Sequence, residues 1–411
     1  MTVWSHHMDV PFAQIQVTVP IGTVHSNNKN EGGVYGIAHF LEHMCGERSR
    51  LFPEKHSFEQ NISACGGNWN AWTTAFTTTY YMQAPKEDFE NLLPGFVSHI
   101  YNPIFLESDI KLQRSIIRNE RFQQKYYPAD DELHLYKFTQ WMKAYLFSKK
   151  QVFGSDADLE SISPEKLNKF HSNYFSRNTV IVVGGTYNTL FLENIFSEIK
   201  THNTSLIEEY EPYAWTNKSY HTMETTDTDV PVYSIGNLSP KSTLDDILSI
   251  GFICELLTNQ QYGVLNTWIR KEQGWTYGVT STFWYSNNQL GWIVDIPMND
   301  IEVVEIIRHE LHTRITQALT DEMCIHFQKN RALKTTCFEF QTLNERIHQA
   351  SEPILIYGIN FTEQMYIDWL ETNANTDYLM HMYTKHFSPA VCGELLELPK
   401  SEIEGAPQIS L

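Results

Sequence analysis

Three residues in one short stretch could hold and use a metal ion. His39, Glu42 and His43 form the order His-x-x-Glu-His, which is the reverse of the commoner zinc-peptidase signature. On an α-helix, residues i and i+4 lie on the same face, so both imidazoles can point a nitrogen at one zinc ion. Glu42 leans toward the same face, where it can take a proton from a zinc-bound water.

Two histidines are too few for a catalytic zinc site, which ordinarily has three protein ligands and a water. The candidate third ligand is Glu120, in a segment whose apolar spacing predicts a helix. The sequence therefore predicts one Zn²⁺ per chain, held by His39, His43 and Glu120, with Glu42 as the catalytic residue.

These residues resemble the inverted-motif zinc peptidases, the family of pitrilysin, insulin-degrading enzyme and the mitochondrial processing peptidase. In that family a ligand glutamate follows the second histidine at a fixed distance, and here that distance ends at Glu120. The resemblance implies a zinc-dependent endopeptidase that hydrolyses unfolded peptides or precursor segments within a closed chamber. The alternative is a catalytically inactive scaffold or assembly subunit of a heteromeric processing complex, because some relatives have lost ligands.

One position departs from the family pattern. Many relatives carry a second glutamate about two helical turns before the ligand glutamate, where this chain has Gln113. A glutamine neither carries negative charge nor accepts a proton at neutral pH. The consequence of Gln113 for catalysis is open at this point, whereas metal ligation is unaffected.

Two further sets of residues resemble substrate-binding elements of the family. Asn70-Ala71-Trp72-Thr73 matches an edge strand to which substrate backbone adds as a further strand; the alternative is an ordinary core strand. Arg270 and Tyr277 match a pair that holds substrate backbone or carboxylate in the second domain of relatives. Their guanidinium and hydroxyl donors suit that task, and the alternative is an arginine at a helix end beside a core tyrosine.

The second half of the chain repeats the first in outline. Tyr262-Gly263-Val264-Leu265-Asn266 parallels Tyr35-Gly36-Ile37-Ala38-His39, and in that register Ile269 matches Glu42 and Arg270 matches His43. The second half therefore keeps the helix and lacks the metal ligands. We predict an α+β fold of two homologous halves, each a largely antiparallel sheet packed by helices on one face.

The predicted division follows from composition. Residues 1–205 form the catalytic half, the polar stretch 206–230 is a linker, and residues 231–411 form the substrate-anchoring half. The N-terminal pair His6-His7 is expected to be disordered, and Pro94 is expected to break a helical stretch that begins near Glu87.

Composition limits the partners. A formal net charge of −19 over 411 residues argues against nucleic acid, whose binding needs clustered Lys and Arg. The sequence contains no apolar run near the ~18 residues that a membrane span needs, and its N-terminus lacks the pattern of a secretory signal. A cytoplasmic location is therefore expected, and the alternative is a periplasmic or organellar location of a processed chain. Half-length relatives dimerise around a chamber; the expected partners are peptide substrates and a second copy in a homodimer, or a homologous subunit in a heterodimer.

Overall fold

Two five-stranded sheets have the same strand order. The computed structural model describes residues 2–26, 34–124, 152–174, 179–197, 199, 220–225, 228–239, 242–286, 289–339, 342–343, 345–347, 351, 354 and 359–399. In the first sheet the order is β1-β5-β2-β4-β3, with β1 and β5 parallel and the other neighbours antiparallel. Its strands are β1 (Thr2–His7), β2 (Phe12–Val19), β3 (Asn68–Thr73), β4 (Thr78–Pro85) and β5 (Val180–Gly185).

The second sheet repeats this arrangement strand for strand. Its order is β6-β10-β7-β9-β8, again with one parallel pair, β6 and β10, at the outer end. The predicted α+β fold with two homologous, largely antiparallel halves is therefore confirmed. The strands are β6 (Tyr220–Thr225), β7 (Val232–Ser239), β8 (Thr280–Ser286), β9 (Gln289–Pro297) and β10 (Gly393–Pro399).

Helices pack beside each sheet. The helices of the first half are α1 (Ile37–Glu47), α2 (Ser57–Ala64), α3 (Lys86–Tyr101), α4 (Glu107–Gln123), α5 (Asp156–Ser161), α6 (Pro164–Tyr174) and α7 (Thr189–Ser197). Those of the second half are α8 (Leu244–Thr258), α9 (Val304–Thr320), α10 (Glu322–Glu339), α11 (Glu363–Asn373) and α12 (Thr376–His386), with a π-helical segment at Asn266–Glu272. Among these described helices, none combines the length and apolar character needed to cross a membrane.

The first sheet is covered on both faces at β5. Alternate residues of a strand point to opposite faces, and here Ile181 and Val183 join the core beneath the helices, whereas Val180 and Val182 pack against Leu343, Ile347 and Ile354. These three residues come from far along the chain. The described residues between 342 and 362 accordingly belong to the same compact unit as the first half, and those of 220–337 and 363–399 form the other unit.

Two local expectations were wrong, and the predicted linker contains a strand. Six residues of the predicted linker, 206–230, form strand β6, and His6 and His7 lie in strand β1; residues 206–219 lie outside the described part of the chain. Both strands are at sheet edges, where backbone pairing with β5 or β10 orders a polar sequence that lacks alternation. Pro94 lies inside α3 without ending it, because the buried Leu93 and Phe96 on either side hold the helix to the core.

Candidate metal centre

The start of helix α1 is fixed by close contact with residues 153–154. Gly36 has a φ of +80°, and a Cβ there would lie 2.5 Å from the carbonyl carbon of Phe153. Gly154 has a φ of +71°, and its Cβ would meet the Tyr35 carbonyl oxygen at 2.4 Å. Only glycine satisfies both conditions without strain. The approach brings the Phe153 ring edge-on to the imidazole of His39, with centroids 5.3 Å apart.

Helix α4 lies beside α1 and contributes the third predicted ligand. Side-chain hydrogen bonds fix the orientation of α4. Arg114 donates to the backbone carbonyls of Leu159 and Ile162, at 2.9 and 2.6 Å. Arg121 donates in the same way to the carbonyl of Gly154, at 2.8 Å. The segment that fixes the start of α1 thus also fixes the end of α4.

The structure brings His39, His43 and Glu120 together. The two histidine Nε2 atoms are 3.2 Å apart, and Oε2 of Glu120 lies 3.7 Å from the first and 3.6 Å from the second. The centre of this triangle is roughly 2 Å from each atom, close to the Zn–N and Zn–O distances of about 2.0–2.2 Å. The donor set and its spacing therefore fit a zinc ion. In the described part of the chain, these three side chains are the group identified as able to hold a metal.

Burial and charge set the protonation of the three side chains. Burial and, to a lesser degree, the neighbouring His43 lower the pKa of His39 to about 4. Burial also acts to lower the pKa of His43, but the hydrogen bond to Glu120 and the charge of Glu42 outweigh it and raise this pKa above its ordinary value. The same hydrogen bond lowers the pKa of Glu120. A divalent cation would compete with a proton for Nε2 of His43.

Glu42 is held beside this group by strand β3. The hydroxyl of Thr73 donates a hydrogen bond of 2.5 Å to Oε2 of Glu42. Burial raises the pKa of Glu42, and the Thr73 hydrogen bond acts against that rise. A carboxylate with a raised pKa is a stronger proton acceptor than an ordinary surface glutamate. Sequence reasoning assigned Thr73 to the substrate strand and missed its contact with Glu42.

Residues 70–73 occupy an outer strand. Strand β3 pairs with β4 on one side and is the outer strand of the described sheet on the other. Asn70 is exposed and accepts a hydrogen bond from the backbone nitrogen of Ala71, at 2.8 Å. Trp72 packs against Tyr81, with ring centroids 5.7 Å apart.

Arg270 and Tyr277 are brought together in the second unit. The guanidinium carbon of Arg270 lies 4.9 Å from the ring centroid of Tyr277, within the range of a cation–π contact. The side chain of Tyr277 is 87% exposed. Two donors of different shape are therefore presented together to solvent, which contradicts the alternative of a core tyrosine.

Gln113 lies next to the metal-binding atoms. Its Oε1 is 3.0 Å from Nδ1 of His43, and its Nε2 is 2.5 Å from Oε1 of Glu47. Sequence reasoning noted Gln113 but missed Glu47, although Glu47 follows His43 by one helical turn on the face shared with His39. No local pattern pointed to Phe153, which is brought to His39 by tertiary contact.

Comparison with known proteins identifies the family. A model described as Insulinase (Peptidase family M16) matches residues 2–152, and one described as Peptidase M16 inactive domain matches residues 161–322. The chain is 29% identical over 180 residues to the mitochondrial-processing peptidase subunit beta of Dictyostelium discoideum; this match covers 43% of the chain and 36% of that protein. It is 30% identical over 186 residues to the insulin-degrading enzyme of Homo sapiens, a match covering 43% of the chain and 18% of that protein. These matches span well under half of the relatives' own length.

Solved structures share the fold over almost the whole chain. A protease from Helicobacter pylori superposes with a TM-score of 0.79 at 14% identity, covering 97% of this chain and 96% of that one. An M16-like peptidase from Alicyclobacillus acidocaldarius superposes with a TM-score of 0.75 at 15% identity, covering 96% of both chains. Likeness at such identities shows the fold alone. The two family models together match most of the sequence and show that this chain belongs to peptidase family M16.

Proposed function

We propose that the protein is a zinc-dependent endopeptidase that hydrolyses unfolded peptides or precursor segments. The observation that carries the proposal is the convergence of His39 Nε2, His43 Nε2 and Glu120 Oε2 within 3.7 Å of one another, with the carboxylate of Glu42 held beside them by Thr73. Three ligands of this kind leave a coordination position open, as catalytic zinc sites require.

His39, His43 and Glu120 would hold the zinc ion. When bound, zinc supplies a Lewis acid that polarises the scissile carbonyl and increases the acidity of water. Phe153 shields one side of His39 from solvent, which limits the motion of that ligand.

Glu42 performs the proton transfers. It takes a proton from the attacking water as the water oxygen bonds to the carbonyl carbon, and it returns that proton to the amide nitrogen as the carbon–nitrogen bond breaks. No proton is gained or lost by the enzyme over the cycle. Thr73 orients the carboxylate through its hydroxyl, and burial keeps the pKa of Glu42 high enough for it to accept the proton.

The substrate backbone would add to the outer edge of the sheet, along β3 at residues 70–73. An edge strand binds an extended peptide through main-chain hydrogen bonds, which selects unfolded segments over folded domains. Arg270 and Tyr277 would bind a substrate carbonyl or carboxylate, because the guanidinium offers paired donors and the phenol a hydroxyl donor.

An inactive scaffold is the competing function. It is favoured by the match of residues 161–322 to a domain described as inactive and by Gln113 in place of a second glutamate. The match to an inactive domain does not include the candidate site. His39, Glu42, His43 and Glu120 all lie within the other match, residues 2–152. A scaffold has no need to keep a general base beside three ligands.

The test compares the wild type, Glu42→Gln and Glu59→Gln on a mixed peptide pool by mass spectrometry, with bound zinc measured in each. Glu59 is an exposed carboxylate paired with His56 and serves as the matched control. We expect Glu42→Gln to lower hydrolysis by about 10²–10⁴-fold while it retains zinc, and Glu59→Gln to match the wild type. Zinc bound without any hydrolysis by the wild type would favour the scaffold.

We also propose that the active form is a homodimer, since the chain carries both the metal ligands and the Arg270–Tyr277 pair. Sedimentation equilibrium of the purified protein measures the mass of the assembly. A mass of one chain at every concentration contradicts the homodimer, and copurification with a homologous chain points to a heterodimer.

A further inference from the structure

A line of buried polar contacts leads away from the metal ligand His43. Gln113 contacts His43 on one side and Glu47 on the other. Oε2 of Glu47 is 2.5 Å from Nζ of Lys55. Gln113 and Glu47 are only 6% and 7% exposed, so these partners are not readily replaced by water.

The carboxylate of Glu47 decides which way the amide of Gln113 faces. A carboxylate only accepts hydrogen bonds, and an amide has one accepting and one donating end. Glu47 therefore holds the NH₂ group of Gln113, and the amide oxygen must face His43. With an acceptor at its Nδ1, His43 carries a proton there and leaves the Nε2 lone pair free.

The free lone pair points at the metal position. Nε2 of His43 is the atom that lies 3.2 Å from Nε2 of His39 and 3.6 Å from Glu120. If the amide of Gln113 turned over, its NH₂ group would face Nδ1 of His43, and the ring would need its proton on Nε2. That tautomer has no lone pair at Nε2 to offer a metal bound between His43, His39 and Glu120.

We propose that Glu47 is a positioning residue for metal binding, which fixes the metal-binding tautomer of His43 through Gln113. The inference rests on the proposed metal function of His43. Glu47 also supplies the negative charge that Gln113 lacks, one side chain further from the metal. Lys55 balances this charge and ties the line to Asp109, at 3.7 Å, which is itself bound to Arg48 at 2.7 Å.

The first variant removes the carboxylate that fixes the orientation of the Gln113 amide. In Glu47→Gln the new amide can offer either end to Gln113, so Gln113 is free to turn over. We expect the dissociation constant for Zn²⁺, measured by competition with a chelator, to rise by about tenfold to a hundredfold, the range for partners that orient a ligand. Glu59→Gln is the matched control and keeps wild-type affinity. Wild-type zinc affinity in Glu47→Gln would overturn the proposal.

Exchanging the amide and the carboxylate between positions 47 and 113 tests the direction of the hydrogen bond between them. Gln113→Glu alone sets two carboxylates face to face and is expected to lower the melting temperature. In the double variant Glu47→Gln with Gln113→Glu, the amide at position 47 donates to the carboxylate at position 113 and accepts from Lys55, so every contact is restored. Zinc affinity within about threefold of the wild type supports the proposal; an affinity no better than that of Glu47→Gln contradicts it, because coupled residues should show a favourable interaction energy.

A spectroscopic measurement on the wild type requires no variant to fold. Long-range ¹H–¹⁵N correlation spectra of the metal-free protein at about pH 9, well above the ordinary imidazole pKa of about 6.5, report which ring nitrogen carries the proton. We expect His43 to be protonated on Nδ1. A proton on Nε2 would overturn the proposal even if every variant misfolded.

Failure of this inference is distinguishable from failure of the proposed function. Zinc affinity and the His43 tautomer are measured without any substrate. If Glu47→Gln weakens zinc binding but the wild type cleaves nothing, the positioning role stands and the peptidase function fails. If the wild type cleaves with full dependence on Glu42 and Glu47→Gln binds zinc normally, the reverse holds.

Discussion

Two positions that the sequence register pairs lie at different places in the two halves: His39 is in α1, the first α-helix after β2, whereas Asn266 is in the segment directly before β8. His39 of the first half matches Asn266 of the second, whose amide donates to the carbonyls of Thr258 and Val279 and accepts from the backbone nitrogen of Val279. His39 instead directs Nε2 toward His43 and Glu120. His39 thus contacts other side chains around the proposed metal position, whereas the amide of Asn266 bonds backbone groups of Thr258 and Val279.

The remaining pairs extend the contrast. Ile269, which matches Glu42, is fully buried in the second core, and Arg270, which matches His43, stacks on the exposed Tyr277. The helix that follows β7 as α1 follows β2 is α8, so the sequence register pairs α1 with a later segment of the second half. The two halves share their strand order, whereas the helical residues paired by the sequence register occupy different places.

Each half also contains a buried charged cluster. In the first half the three ligand atoms stand 3.2–3.7 Å apart, which leaves room for a cation between them. In the second half Oδ1 of Asp246 is 2.9 Å from Nε2 of His386 and 2.5 Å from Nζ of Lys385. That cluster is closed by direct hydrogen bonds. Burial alone therefore does not mark a metal site, whereas the gap between donors does.

The largest expected effect comes from giving the first half the residue of the second. In His43→Arg the new side chain has no lone pair to offer a metal. We expect the zinc dissociation constant to rise by more than about a hundredfold, above the range for residues outside the ligand set. Chelator competition measures it. Arg270→His is the reciprocal control and should gain no zinc; zinc binding by that variant would show that the halves differ less than their contacts indicate.

Removing the charge of Asp246 from its cluster with Lys385 and His386 should lower the stability of the second half. Burial acts to raise the pKa of Asp246, but hydrogen bonds from His386 and Lys385 outweigh it and hold this pKa well below its ordinary value. Asp246→Asn leaves those two groups without a carboxylate, so we expect the free energy of unfolding at neutral pH to fall by about 3 kcal/mol. Urea denaturation measures it.

The same substitution changes the pH dependence of stability. Because the pKa of Asp246 is lower in the folded than in the unfolded protein, its contribution is present above about pH 4 and is lost as the pH falls through the folded-state pKa. Asp246→Asn should remove that part of the acid sensitivity. The exposed neighbour Asp245 is the control, and an equal effect in Asp245→Asn would contradict the assignment to the cluster.

The backbone role of Asn266 is expected to have a smaller effect. Asn266→Ala leaves buried backbone groups of Thr258 and Val279 without their partner, which should lower the free energy of unfolding by about 2 kcal/mol. His39→Ala in metal-free protein should cost less, because the side-chain contacts of His39 at Nε2 are made to other side chains. Urea denaturation of both variants without metal tests the comparison, and equal losses would remove the distinction between the two positions.

The smallest effect is expected at the anchoring pair. Arg270→Lys keeps the charge but loses the planar pair of donors, so we expect kcat/KM for peptide hydrolysis to fall by about tenfold, the loss of one charge-assisted hydrogen bond. The fall should come through KM, with zinc binding unchanged. Lys271→Arg is the neighbouring control. A lower kcat at constant KM would argue against a role in substrate anchoring.

The three proposed metal ligands were predictable for two different reasons. His39 and His43 come together through one helical turn, and Glu120 was found through its register with the family motif. Strands β1 and β6 were not predictable, since their polar sequences acquire strand structure only by pairing with β5 and β10. The contact of Phe153 with His39 likewise depends on two glycines that no periodic pattern links.

The packing of Leu343, Ile347 and Ile354 on β5 has a consequence for any attempt to divide this protein. The oxygen of Ser351 accepts a hydrogen bond of 2.5 Å from the amide of Gln16 in β2, so the chain returns to its beginning after building most of the second sheet. A protein truncated after residue 205 would lack Leu343, Ile347 and Ile354 and would expose Val180 and Val182. The half that holds the proposed metal ligands is therefore not an autonomous module, and transplanting it into another protein would require a covering segment supplied from elsewhere.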